Sequence, residues 1–445
     1  ENVRGVVTRP DLIRLWGVPE EPSRRLKIAT RLEQALSDPV LTLVRRISQT
    51  AHRMGVVPYF VGGLVRDLLL GQPIVDVDMV IEGDAIALAN QLADALGGRV
   101  IAHGRFGTAK WILASEVWAK VTDQVIREND LPPSIDFVTA RTEFYTHPTA
   151  LPQVAESSIK QDLHRRDFTI NTLAIRLDPD HWGELLDFYG GEDDVEAGVI
   201  RVLHSLSFID DPTRILRAAR LESRLDFHLD PRSEELIEEA LPLLKRVSGD
   251  RIRHELELIF REDEPEQALC RLDELGALTA IHTDLQCDNW LRTKFHAWRE
   301  RFKPRVWGLE PEDMYFIYLA ILAYRLDKQA TQVFGKRLKL KREDEEDLLL
   351  VQDLRENLPE LTRLDRTSRI YHLLESYPAR VLAAVWIASE DERIQERLLR
   401  YQTDWRSVEP EITGNDLKAM GLKPGPLFGD LLRTLRDARL NGTVS

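Results

Sequence analysis

Between Tyr59 and Ile81 the chain passes from an apolar run to paired glycines, then a helical pattern, then an alternation of acids with apolar residues. Few arrangements satisfy all four. The run Val56 to Val61 ends at Gly62-Gly63, the helical pattern after it is stopped by Gly71 and Pro73, and Val75-Asp76-Val77-Asp78-Met79 follows. This order reads as strand, tight turn, helix and second strand. Glycines let backbone N–H groups come close to an anion, with the positive end of a helix behind them and Arg66 one turn in. Alternation along the second strand puts Asp76 and Asp78 on one face. Neighbouring carboxylates repel unless a cation or proton lies between them, and Mg²⁺ takes one or two carboxylates together with phosphate oxygens. Each piece alone reads as a plain turn or an exposed strand edge. In sequence they point to a nucleoside triphosphate site.

Composition sets few further limits. The 445 residues suffice for two to four domains, and 43% hydrophobic with 30% charged residues is the balance of a globular protein. No apolar run approaches the length of a membrane span. Cys270 and Cys287 offer neither a disulfide framework nor a zinc pattern, so a reducing cytoplasm is the default setting. A net charge of -14 argues against an evenly basic nucleic-acid binder but leaves room for local RNA contact.

Gly62-Gly63-Leu64-Val65-Arg66-Asp67 followed by Asp76-Val77-Asp78 resembles the signature of the class II tRNA nucleotidyltransferases and bacterial poly(A) polymerases. These belong to the polymerase-beta-like nucleotidyltransferase superfamily. The resemblance implies an α+β fold, a nucleotidyltransferase domain of mixed sheet and helices followed by an all-helical neck, body and tail. It divides the chain into a catalytic head (25–190), a neck with a base-reading pocket (191–262), a body (263–345) and a tRNA-binding tail (346–445). Residue 1 is Glu, and residues 3–13 resemble the closing strand and helix of a CBS repeat, as if residues 1–24 began inside a longer polypeptide. An ordinary N-terminal strand and helix fits that pattern equally well.

Four further stretches carry chemistry. Asp136 is a lone acid in the apolar strand Ser134 to Arg141, and it is the candidate base or third ligand beside Asp76 and Asp78. Residues 146–160 read as a Pro-interrupted loop, which resembles the family's flexible segment that affects nucleotide choice. Arg165-Arg166-Asp167-Phe168-Thr169-Ile170-Asn171 carries two arginines suited to phosphate oxygens. By likeness to the family's motif, Arg166 would touch the triphosphate and Asp167 and Asn171 the ribose; Thr172 stands where Ala is more usual. In Ser207 to Arg220, Ser207 or Asp210 is expected to cap a helix, Pro212 to open it, and Asp211, Arg214 and Arg217 to share a face. A carboxylate accepting from an exocyclic amine beside a guanidinium donating to the ring suits adenine and cytosine and not guanine or uracil. The family's base-reading motif would assign Asp211 and Arg214 to the base, and Arg217 and Arg220 to nearby nucleotide or helix contacts. A solvated helix with internal ion pairs is the plain alternative.

Past residue 262 the signals are helical. Lys336, Arg337, Lys339, Lys341 and Arg342 form a basic run, a candidate patch for RNA phosphates although an acidic run follows at once. Lys423 lies among glycine-rich turns resembling the family's tail. No His-Asp dipeptide occurs, so the phosphohydrolase domain of some relatives is not expected. Taken together, these stretches suggest a template-independent enzyme that adds AMP from ATP to tRNA ending in CC, with two Mg²⁺ ions. Full CCA addition with CTP and ATP, poly(A) synthesis, a small-molecule nucleotidyltransferase and an inactive RNA-binding protein are the rivals.

Overall fold

The computed structural model describes residues 22–74, 77–122, 131–144, 153–423 and 425–444. The CBS-like start (residues 1–21), Asp76, residues 145–152 and Pro424 lie outside the described residues. The chain forms two compact units. The first holds the described residues up to Asp211 together with Phe227–Leu236, and the second holds Pro212–Asp226 and the residues from Ile237 on.

The first unit opens with two helices, α1 (Pro22–Ala35) and α2 (Asp38–Met54). α2 is a helix because Val40, Leu43, Val44, Ile47 and Ala51 recur at three- and four-residue steps, and all of them are buried. Full burial of a Leu, Val or Ile stabilises by about 1.5–3 kcal/mol each. Gly55 ends the helix in the left-handed conformation, at φ 72°.

Next come β1 (Val57–Val61), α3 (Gly63–Leu69), β2 (Asp78–Glu82), α4 (Ala85–Leu96), β3 (Arg99–His103), β4 (Thr108–Ile112), α5 (Ser115–Val121) and β5 (Ser134–Thr139). A two-stranded ribbon of β6 (Arg141–Phe144) and β7 (Gln153–Glu156) follows, so the expected loop over 146–160 gives way to a strand at 153 and to α6 (Ile159–His164) at its end. Pro148 and Pro152, the breakers behind that expectation, lie outside the described residues, and the strand begins after them. β8 (Ala174–Arg176) and β9 (Leu185–Leu186) complete a seven-stranded mixed sheet in the order β3-β4-β5-β2-β1-β8-β9. β1 and β2 are apolar through their centres because both faces are covered: Tyr59, Phe60, Met79, Val80 and Ile81 are buried. The first unit ends with α7 (Gly191–Ala197), β10 (Val199–Ile200) and α8 (Ser207–Asp210), and β11 (His228–Leu229) returns to pair with β10.

In the second unit, α9 (Thr213–Leu225), α10 (Ile237–Leu244), α11 (Gly249–Ile259) and α12 (Pro265–Glu274) begin a wholly helical array. The helix Arg342–Arg363 runs unbroken across residue 345. An aromatic core of Phe260, Phe295, Trp298, Phe302, Trp307 and Tyr318 fills the middle of the array.

The cysteines depart from expectation: Cys270 and Cys287 form a disulfide, with Cα atoms 4.8 Å apart. The segment after Ile281 folds back on α12, and the Cys287 N–H donates to Asp273 at 2.8 Å. Sequence spacing alone does not display that return.

Candidate active site

The turn after β1 is built around Gly62. Its backbone is left-handed (φ 72°), and a Cβ there would lie 2.8 Å from Arg166 Nη1 and 3.3 Å from the Asn171 carbonyl. No other residue fits without displacing Arg166. The Gly62 N–H donates to the Leu173 carbonyl at 2.9 Å, which fixes the turn against the segment entering β8. α3 has only seven residues, so its dipole is slight and the positive charge at the turn comes chiefly from side chains.

Arg66 is buried and faces inward. It donates to Asp67 Oδ1 from Nε (2.9 Å) and Nη2 (2.7 Å), and to Asn171 Oδ1 from Nη1 (2.8 Å). Asn171 Nδ2 in turn donates to Asp167 Oδ1 at 3.0 Å, and that oxygen also accepts the Phe168 N–H at 2.9 Å. Five of the predicted residues, Gly62, Arg66, Arg166, Asp167 and Asn171, thus meet at one turn, and Gly63 packs beside the Arg66 guanidinium. Arg66 braces the turn from within and does not project from it.

Arg166 is fixed by Asp162, which sequence reading missed. Asp162 is fully buried, and its Oδ2 accepts from Arg166 Nε (3.3 Å) and Nη2 (3.1 Å). Its Oδ1 accepts from Arg165 Nε (3.1 Å), Arg165 Nη2 (2.7 Å) and the Arg141 N–H (3.1 Å). Burial alone would raise the pKa of this carboxyl, but Arg166 and Arg165 outweigh it and hold it below the usual carboxylate value. Burial pushes the Arg166 pKa down, although a guanidinium keeps its charge across the physiological range. The acid–arginine steps of three and four in Asp162-Leu163-His164-Arg165-Arg166 were the available signal. Asp194, also overlooked, accepts from Thr169 Oγ1 at 2.6 Å and so holds the one-turn helix Thr169–Asn171.

The acids lie at the same end of the sheet. β1 and β2 pair antiparallel with Tyr59 opposite Val80, and continuing that register by two residues brings Val61, which precedes Gly62, level with Asp78. β2 and β5 pair parallel with Asp78 opposite Asp136. Neighbouring strands lie about 4.8 Å apart, so these two carboxylates are close neighbours. Lys110 Nζ meets Asp136 Oδ2 at 2.8 Å from the other side. β2 begins at Asp78, and Asp76 lies outside the described residues, so the expected shared face of Asp76 and Asp78 is not part of the described structure. Among the described residues no three metal-ligating side chains cluster. The oxygen-only donor pair Asp78 and Asp136 suits a hard divalent cation such as Mg²⁺.

The second motif folds differently from its pattern. Ser207 to Asp210 form the separate turn α8, Asp211 is extended (φ -140°, ψ 94°), and Pro212 takes the N-cap position of α9. Neither Ser207 nor Asp210 caps α9, and Asp211 precedes the helix face carrying Arg214 and Arg217, because Pro212 biases the residue before it toward extended backbone. Asp211 and Arg214 are both buried. Arg217 pairs with Glu255 at 2.9 Å and Arg220 with Glu262 at 3.0 Å, which are helix contacts. Arg251 Nη2 donates to Thr213 Oγ1 at 3.3 Å at the start of α9.

In the basic run Arg337 donates to the Val247 and Leu244 carbonyls, both at 2.9 Å, Lys339 pairs with Asp250 at 2.9 Å and Arg342 with Glu346 at 2.7 Å. Lys336, Lys341 and, in the tail, Lys423 are exposed.

Comparison with known proteins agrees with this geometry. The Poly A polymerase head domain family matches residues 58–201, and the family described as a probable RNA and SrmB-binding site of polymerase A matches residues 226–287. The chain is 34% identical to an A-adding tRNA nucleotidyltransferase of Geobacter sulfurreducens, over 100% of this chain and 52% of that protein. It is 32% identical to one of Halalkalibacterium halodurans, over 93% of this chain and 91% of the relative. The chain thus spans about half the length of the first relative and nearly all of the second. Among solved structures, a Thermotoga maritima CCA-adding enzyme complexed with tRNA matches at TM-score 0.73 and 29% identity, covering 94% of this chain and 95% of that one. An apo form of a CCA-adding enzyme matches at TM-score 0.78 and 29% identity, over 93% and 95%. With the glycine turn, the arginine motif and the paired acids all at one end of such a sheet, this chain belongs to the class II tRNA nucleotidyltransferase and poly(A) polymerase family.

Proposed function

We propose that the protein adds a nucleotide to the 3' end of tRNA without a template, and specifically AMP from ATP to tRNA ending in CC. The observation that carries this reading is the convergence of Gly62, Asn171, Asp78 and Asp136 on one end of the sheet. In the reaction the RNA 3'-oxygen bonds to the α-phosphorus, the bond from that phosphorus to the bridging oxygen breaks, and pyrophosphate leaves. Asp136 takes the hydroxyl proton. Arg166 holds the triphosphate at the Gly62–Gly63 turn, while Asp167 and Asn171 orient the ribose. Asp211 and Arg214 read the base edge that adenine and cytosine share. Asp76 and Asp78 would hold Mg²⁺, which when bound supplies charge neutralisation at the triphosphate and acidifies the attacking hydroxyl. Positioning and electrostatics carry such a step, with no covalent enzyme intermediate.

Relatives named A-adding favour the single-nucleotide activity. Complete CCA addition is the second reading, because a CCA-adding enzyme in complex with CTP superposes at TM-score 0.75. No described helix is long and apolar enough to cross a membrane, and we place the reaction in the cytoplasm, where tRNA substrates are made. The test offers tRNAs ending before C, after one C and after both, with ATP or CTP singly. AMP joined only to the CC end is expected, and CMP joined to the shortest tRNA overturns the A-only reading. Asp78→Ala is expected to remove addition while tRNA still binds.

A further inference from the structure

The Arg166 guanidinium has two edges, and the structure gives them different partners. The edge formed by Nε and Nη2 lies on Asp162 Oδ2, at 3.3 and 3.1 Å. The remaining nitrogen, Nη1, lies against Gly62, 2.8 Å from where a Cβ would stand. Orientation of the fork toward the turn is therefore set by whatever holds the first edge. That group is a carboxylate with no exposed surface, in the first turn of α6, and its second oxygen is occupied by Arg165 and the Arg141 N–H. Two like-charged guanidiniums on consecutive residues would otherwise repel, and the shared carboxylate lets them stand side by side. Arg166 keeps 21% of its side-chain surface, so a group held this way is still reachable from the turn.

We propose that Asp162 is a positioning residue for the nucleotide: it clamps one edge of Arg166 so that the other is presented at the Gly62 turn before the triphosphate arrives. This rests on the reading that Arg166 holds the triphosphate. Asp162 touches no reacting atom and acts through Arg166. Preorganisation of this kind matters because a misplacement of about 1 Å in a binding group costs on the order of 100-fold in rate.

The test is steady-state kinetics of Asp162→Asn and Asp162→Glu, with Arg166→Lys and the double variant Asp162→Asn/Arg166→Lys. The Asn variant keeps the shape and loses the charge; the Glu variant keeps the charge and moves the oxygens by one methylene, and serves where the Asn variant folds poorly. Folded variants are expected to raise KM for ATP by roughly 10- to 100-fold, with KM for tRNA within about twofold. The double variant should cost little beyond the larger single effect, since both substitutions undo one arrangement. A purely structural Asp162 would lower the melting temperature and the active fraction and leave KM for ATP in place, and that result overturns the proposal. If Arg166→Lys itself leaves KM for ATP unchanged, the triphosphate role of Arg166 fails first. If Arg166→Lys raises it and folded Asp162 variants do not, the clamp alone fails.

Discussion

The glycine turn of the first unit and the basic run of the second both offer cations in a short stretch, yet they treat them in opposite ways. At the turn, Arg166 is gripped along one edge by a buried acid, and its other edge lies against a glycine that leaves it room. In the run, Arg337 places both terminal nitrogens on the carbonyls of Leu244, the last residue of α10, and of Val247 just beyond it, while Lys339 and Arg342 pair with acids. Counting cations cannot separate a binding group from a helix cap. The distinguishing property is whether a side chain's polar edge is already consumed by backbone.

The largest break in this comparison should come from Gly62→Ala. It forces a side chain into left-handed backbone and onto Arg166, which should cost about 1–3 kcal/mol of stability and on the order of 100-fold in addition. Thermal melts and turnover on tRNA ending in CC check both; near-normal activity would mean that Arg166 has room to move. Next, Arg337→Ala should lower stability by about 2 kcal/mol, as expected for lost hydrogen bonds from a charged donor, with tRNA affinity of the folded protein unchanged. Lys336→Ala and Lys341→Ala should do the reverse, leaving the melting temperature alone and reducing the slope of log affinity against log salt by about one each. A salt slope that moves with Arg337 and not with the lysines would invert the assignment.

The smallest effect concerns the tail. His372 joins Asp437 at 2.8 Å and Glu375 at 3.0 Å, tying the helix Thr367–Leu374 to the helix Pro426–Leu440. Burial alone would lower its pKa, but the two acids prevail and raise it above 6.5. A raised pKa means that the contribution is complete below 6.5 and is lost as pH rises through the higher folded value. The difference in melting temperature between the wild type and His372→Gln should therefore shrink as pH rises above 6.5.

Local signals were legible in the sequence and distant ones were not. Gly62 and Asp136 could be read from the chain because a turn and an alternating strand are written within a few residues. Asp211 departs from helical spacing because Pro212 intervenes, and its ring favours extended backbone at the preceding residue. The partners of Arg337 lie 90 and 93 residues away, and the fold of Cys287 onto α12 depends on packing between helices; neither leaves a trace in spacing. Asp162 was within reach, but its value depends on complete burial, which a polar-looking stretch does not advertise.

The parallel ladder of β2 and β5 has a consequence for how activity can be lost. Asp78 stands beside Asp136 only while Met79 stays level with Phe137 and Ile81 with Thr139. Slippage by a single step would send one acid to the opposite surface. On the proposed reading, greasy interior positions are thus custodians of the chemistry, and lesions confined to oily side chains would silence addition with every acid intact.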